Sequence, residues 1–111
     1  MKISSGNQIL FFRNDSILSF EAVAGQSLVH FIDGKNLKVD ESIESIEKQL
    51  TDSGFIRISD RHIVNVNCIT RISNSKDDFV ELSNAEVLPI NGKQKELIME
   101  LITEHPIKTK T

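Results

Sequence analysis

The spacing of apolar residues changes three times along this chain and divides it into four blocks. Over the first 40 residues, short apolar runs are broken by turn residues every few positions. Lys2–Ser5 and Gln8–Phe12 flank Gly6-Asn7, and Asn14-Asp15 makes the next turn. Ser16–Val23 alternates, with Ile17 and the bulkier side chains facing inward. Ser27–Ile32 follows after a short loop at Ala24-Gly25-Gln26. Asp33-Gly34 is a hairpin signal, because its glycine accepts a positive φ, and Asn36–Val39 brings the chain back. Ile43, Ile46 and Leu50 then fall at i, i+3 and i+7, one stripe of a helix over 40–52. Asp40 or Ser42 can cap its start, where Glu41 and Glu44 suit the positive end of the dipole, and Gly54 is placed to stop it.

Alternation returns at Phe55–Ile58, is interrupted by the polar tetrad Ser59-Asp60-Arg61-His62, and resumes through Ile63–Ile69 with Asn65 and Asn67 set into it. Two more strands, Thr70–Asn74 and Phe79–Leu82, flank the polar turn Ser75-Lys76-Asp77-Asp78, and Asn84-Ala85 leads into Glu86–Ile90. The last element is a helix with Leu97, Ile98, Leu101 and Ile102 on one face. Asn91 is its N-cap, with Gln94 placed to reach back in the manner of a capping box. His105-Pro106 ends it, and residues 106–111 are expected to form a mobile tail. The order strands, helix, strands, helix predicts a mostly β fold. Its parts are small antiparallel sheets with one central and one C-terminal helix, without the βαβ alternation of a parallel sheet.

Composition narrows the picture. A chain of 111 residues, 39% hydrophobic and 26% charged, reads as one globular domain spanning 1–111. The net charge of −3 argues against a generic polyanion binder, although a local basic face remains open. Cys68, the single cysteine, has no partner for an internal disulfide, which fits a cytoplasmic, reducing setting. No stretch approaches the ~20 apolar residues of a membrane span, so no membrane contact is expected. The N-terminus lacks the apolar region of a signal peptide, and both ends read as ordinary domain edges.

Candidate chemistry is sparse. Ser59, Asp60 and His62 are the residue types of a hydrolase triad, but triad members come from separated segments, and three within four residues compete for one space. A polar turn, with Ser59 or Asp60 capping a short helical turn, is the simpler reading, and no enzyme is expected. His30, His62, His105 and Cys68 show no metal-ligand spacing, and the five glycines form no phosphate loop, so no cofactor is expected. His30 reads as a satisfied strand side chain and Cys68 as a small buried one. Charge placement is more informative. Helix 40–52 holds Asp40, Glu41, Glu44, Glu47 and Asp52 against Lys48 alone. Arg57, Arg61 and Arg71 face only Asp60 over 55–71, and Lys93 and Lys95 stand without an acid over 87–95, so two later segments could supply a basic patch.

The stretch FIRISDRHIVNVNCITRI resembles the signature of the LytTR DNA-binding domain. In that family F-x-R-hydrophobic leads into a polar turn, a Val-Asn run and Ile-x-x-Ile, matched here by Phe55, Arg57, Ile58, Val64, Asn65, Ile69 and Ile72. SILSFEAVAG, ESIESIEKQL and VLPINGKQKELIMEL resemble three further family segments in the same order, so the likeness covers most of the chain. It implies a mostly β fold and the output domain of a bacterial two-component response regulator. Such a domain would bind promoter repeats in double-stranded DNA sequence-specifically, by loops in the major groove. It further implies an upstream receiver or sensor domain and leaves room for a homodimer on DNA.

The family's three contact regions fall here on Gly25-Gln26-Ser27, on Ser59-Asp60-Arg61-His62 and on Asn91-Gly92-Lys93, followed by Lys95. The resemblance then gives Arg61 a guanine edge or a phosphate, Lys93 and Lys95 phosphates, and Gln26 an adenine. Asp60 would accept from a cytosine or orient Arg61, and His62 would meet phosphate, more strongly when protonated. For Arg61 the plain alternative is an ion pair with Asp60, and for Lys93 a solvated helix start. Asn65 and Asn67 read as buried amides pinning the turn. The chain departs from the family where it matters: Ser-Asp-Arg-His stands where His-Arg-Ser-Tyr is usual, and Asn-Gly-Lys replaces Ser-Arg-Arg. These losses keep a second reading open, a protein-interaction or dimerisation module of the same fold with lost or weak DNA affinity.

Overall fold

The computed structural model describes residues 2–50, 54–73 and 78–104, with side chains as far as Leu101. Strands dominate it. They are β1 (Lys2–Ser5), β2 (Gln8–Phe11), β3 (Ile17–Val23), β4 (Gln26–Phe31) and β5 (Asn36–Val39), followed by helix α1 (Ile43–Gln49). Then come β6 (Phe55–Arg57), β7 (His62–Asn65), β8 (Ile69–Ile72), β9 (Phe79–Leu82) and β10 (Val87–Pro89), and finally helix α2 (Gly92–Glu104). Short 3-10 turns precede β3, at Asn14–Ser16, and β8, at Val66–Cys68. All pairings are antiparallel and form three sheets: β1-β2, β10-β9-β8 and β5-β4-β3-β7-β6. The mostly β architecture expected from the sequence is the one observed.

The five-stranded sheet is the middle layer, and each of its faces has its own core. Ile17, Phe20, Val29 and Ile63 pack with Ile43, Ile46 and Leu50 of the α1 segment and with Ile3 of the β1-β2 hairpin. Their strand neighbours Leu18 and Val64 point the other way. With Ile56 and Ile58 they meet Ile69, Val80, Leu82 and Leu88 of the second sheet and Ile98 of α2. Double coverage explains why Ile17–Phe20 are all buried where alternation predicted one inward face. A register shift between Ile17 and Ser19 accompanies that change.

Several boundaries differ from the sequence reading. The β3-β4 connection is a two-residue turn rather than three: Val23 pairs with Gln26, and both Ala24 (φ 51) and Gly25 (φ 81) are left-handed, as in a type I′ turn. Gln26 therefore belongs to a strand. An alanine in this region is strained by about 1 kcal/mol. Ala24→Gly is expected to stabilise the domain by about 0.5 kcal/mol, the relief being partly offset by the looser unfolded chain. A rise in the urea midpoint at unchanged slope would register it.

Helix α1 starts later than expected, with Ser42 as its cap: the Ser45 N–H donates to Ser42 Oγ at 3.1 Å. Asp40 is engaged elsewhere, its N–H donating to Ser5 Oγ at 2.8 Å. At α2 the Gln94 N–H donates to Asn91 Oδ1 at 2.8 Å, the first half of the expected capping box. Ile98 is buried and Leu101 packs on the same core, but Leu97 is exposed. The end of the first helical pattern at 51–53, the turn at 74–77, the Ile102 side chain, the His105-Pro106 stop and the tail 106–111 lie outside the described residues.

Candidate nucleic-acid interface

The polar tetrad connects β6 to β7 and is closed by the Ile58 N–H donating to the His62 carbonyl at 3.0 Å. No helical turn forms. Ser59 Oγ instead accepts the Arg61 N–H at 3.2 Å and lies 3.5 Å from His62 Nδ1. Ile58, fully buried, roots the turn in the core beneath it.

Arg57 fixes its outer shape. Its Nε donates to the Ser59 carbonyl at 3.0 Å and one terminal nitrogen donates to the Asp60 carbonyl at 2.9 Å. The same guanidinium donates to Glu47 Oε1 and Glu44 Oε2 on α1, each at 2.9 Å. Arg57, counted from sequence as part of a basic patch, is thus a clamp between helix and turn, and its side chain is only 17% exposed. Its partners also answer for the helix acids: hydrogen bonding from Arg57 is the main cause that holds the Glu44 carboxyl below the usual carboxylate value.

Beneath the tetrad, Asn65 closes β7. Its Nδ2 donates to the Ile17 carbonyl at 2.9 Å and the Asn14 carbonyl at 3.3 Å, while its Oδ1 accepts the Asn67 N–H at 3.0 Å. The buried amide expected of Asn65 is present. Asn67, expected to match it, is exposed, because the 3-10 turn that Asn65 caps swings it outward.

The sheet brings two of the predicted segments together. The Ala22 N–H donates to the Arg61 carbonyl at 2.8 Å, one residue from the Val23–Gln26 pair that flanks the Ala24-Gly25 turn. Arg61 is 68% exposed. Its ion-pair partner is Glu21, at 3.9 Å, and not Asp60, the partner in the plain alternative. Gln26 is half-buried and donates to Asp40 Oδ1 at 2.8 Å. Ser27 is 0% exposed and its hydroxyl donates to the Glu41 carbonyl at 2.7 Å, which makes it a peg for the loop before α1 rather than a reader. His62 is half-buried, and burial lowers its pKa more than the nearby Glu21 and Glu86 raise it, which favours the neutral ring.

The third segment leads into α2, whose next turn borders Arg57. Gln94 and Leu97 of α2 line a groove with Glu47, Leu50, Ile56 and Arg57. Asn91 is the helix cap and Lys93 is exposed, with no ion-pair partner among the described residues. Lys95 pairs with Asp78 at 3.1 Å and is 22% exposed. Arg71 pairs with Glu81 at 2.8 Å and lies over the Phe79 ring. The cation-rich segments read from sequence are therefore largely neutralised by acids on α1, on β9 and in the residue before β9. Lys93 and Arg61, the latter largely exposed and with only the 3.9 Å contact to Glu21, are the most open cations of the predicted set.

His30 is the satisfied strand side chain that the sequence suggested, but sequence reasoning missed its partner Glu21; the two lie 2.9 Å apart (Oε1 to Nε2) beside Arg61. A two-residue turn at Ala24-Gly25 would have exposed the pairing, since it sets Glu21 opposite Leu28 and diagonal to His30. Among the described residues, no group of three or more His, Cys, Asp or Glu side chains is placed to hold a metal ion. No helix among them is long and apolar enough to cross a membrane.

Comparison with known proteins agrees with this fold. A search of curated proteins returned no match. Among solved structures, one described as the LytTr DNA-binding domain of a methyl-accepting/DNA response regulator from Bacillus cereus is similar to this chain. It has a TM-score of 0.71 and 19% identity, over 92% of this chain and 94% of the other, which establishes a common fold. The sequence model of the LytTr DNA-binding domain matches residues 7–103. The chain belongs to the LytTR family of DNA-binding domains.

Proposed function

We propose that this domain binds double-stranded DNA sequence-specifically, with Arg61 on the clamped β6-β7 turn as its principal base-reading residue. The observation that carries the proposal is the combination at that turn. An open guanidinium stands on a backbone whose carbonyls are gripped by Arg57, next to the short β3-β4 turn. A rigid mount lets arginine address a guanine edge with two parallel hydrogen bonds. Lys93 at the start of α2 supplies a phosphate contact, and Asp60, His62, Gln26 and Asn91 border the reading edge. In this reading loops enter the major groove, the domain acts as a regulator's output, and a receiver or sensor domain controls it.

Arg61→Ala is expected to weaken binding to a duplex enriched by this chain from a random pool by about 1–3 kcal/mol. Fluorescence anisotropy at fixed salt measures it, and an unchanged affinity would remove Arg61 from the interface. The pairing of Arg57, Arg71 and Lys95 with acids favours the second reading, a protein-interaction module. That reading predicts no enrichment of any duplex even at low salt, whereas DNA binding weakens steeply as salt rises.

A further inference from the structure

We infer that Glu21 is a positioning residue that makes Arg61 selective for base edges over phosphates, an inference that rests on Arg61 reading DNA. Glu21 sits on β3, directly across from His62 on β7. One carboxylate oxygen is held by His30 Nε2 at 2.9 Å. The other lies 3.9 Å from an Arg61 terminal nitrogen, close enough for attraction and too long for a hydrogen bond. His62 feels the charges of Glu21, Arg61, His30 and also Glu86, which places these titratable groups in one neighbourhood.

This arrangement has two consequences for a polyanion. The carboxylate restrains the guanidinium on one side and leaves its remaining donors free for a planar acceptor pair such as O6 and N7 of guanine. It also puts a fixed negative charge beside any phosphate that approaches Arg61, which makes the sequence-independent contact less favourable. Non-specific binding depends on phosphate neutralisation, so Glu21 weakens it selectively. His30 matters because it anchors Glu21 from the neighbouring strand, keeping the carboxylate at Arg61 instead of turned to solvent.

Glu21→Gln removes the charge and keeps an oxygen that can accept from His30. The probes are the duplex enriched from a random pool and a scrambled duplex of equal composition. The variant is expected to bind the scrambled duplex about fivefold more tightly, through loss of one repelling charge. Its preference for the enriched duplex should fall about tenfold, the scale of one base contact. Introduced on top of Arg61→Ala, the same change should have no effect on that preference. A parallel fall in both affinities, or an equal effect in the Arg61→Ala background, assigns Glu21 a structural role and overturns the inference. An Arg61→Ala protein that keeps full affinity and preference overturns the Arg61 reading itself. Failure of Glu21 alone leaves that reading standing.

Discussion

Arg57→Ala is expected to cost about 2–3 kcal/mol of stability and to reduce DNA affinity further than the loss of folded protein explains. The guanidinium satisfies four acceptors at once, two carboxylates on α1 and two carbonyls of the turn. Hydrogen bonds from a charged donor are worth about 1.5–3 kcal/mol each in isolation. Here the sum is moderated, because Glu44 and Glu47 are more than half exposed and regain water when Arg57 is gone. The Ser59 and Asp60 carbonyls lose the donors that hold the turn in one shape. Urea denaturation measures the stability, and anisotropy at a temperature where the variant is folded measures the rest. Arg57→Lys should recover only a part, since a single ammonium cannot span both the helix and the turn.

Acid should uncover the same clamp. The folded-state pKa of Glu44 is lowered, chiefly by its hydrogen bond from Arg57. Stability from this source is therefore complete above the ordinary carboxylate value and is lost as pH falls through the lower folded one. Removing Arg57 should flatten that part of the acid limb.

Asn65→Ala is expected to destabilise the domain by about 3 kcal/mol. The side chain is 5% exposed and bridges three segments: the 3-10 turn before β3, the first residue of β3 and the turn that follows β7. Truncation leaves the Ile17 carbonyl and the Asn67 N–H without their partners, and each orphaned group costs about 1–3 kcal/mol. Asn65→Asp is a sharp control. It keeps the acceptor for the Asn67 N–H but turns an oxygen toward the Ile17 and Asn14 carbonyls, so it should destabilise at least as much as alanine. A denaturation midpoint near that of the unaltered protein in either variant would refute the bridging role.

Much of this molecule was legible in its sequence because the relevant signals are local. The α1 stripe Ile43-Ile46-Leu50 and the short alternating strands follow from periodicity, and Asn65 announced itself as an amide inside an apolar run. What escaped notice depends on register or on distant partners. Arg57 resembled an open cation because its carboxylates lie 10 and 13 residues upstream on a different element. Gln26 looked like a loop residue because the turn before it is one residue shorter than the polarity suggested, and the strand therefore begins there. Asn67 shares the setting of Asn65 in sequence, but it lies within the 3-10 turn Val66–Cys68, which breaks the alternation that would have buried it.

The double packing of the central sheet has a bearing on how such a domain diversifies. Residues that hold β3 and β7 in place answer to a core on each side and tolerate little change in volume. The tips of the connections answer to neither core. Substitutions on the β6-β7 turn can accumulate there at small cost to folding, so under the proposed function the DNA sequence preferred can shift while the scaffold stays put.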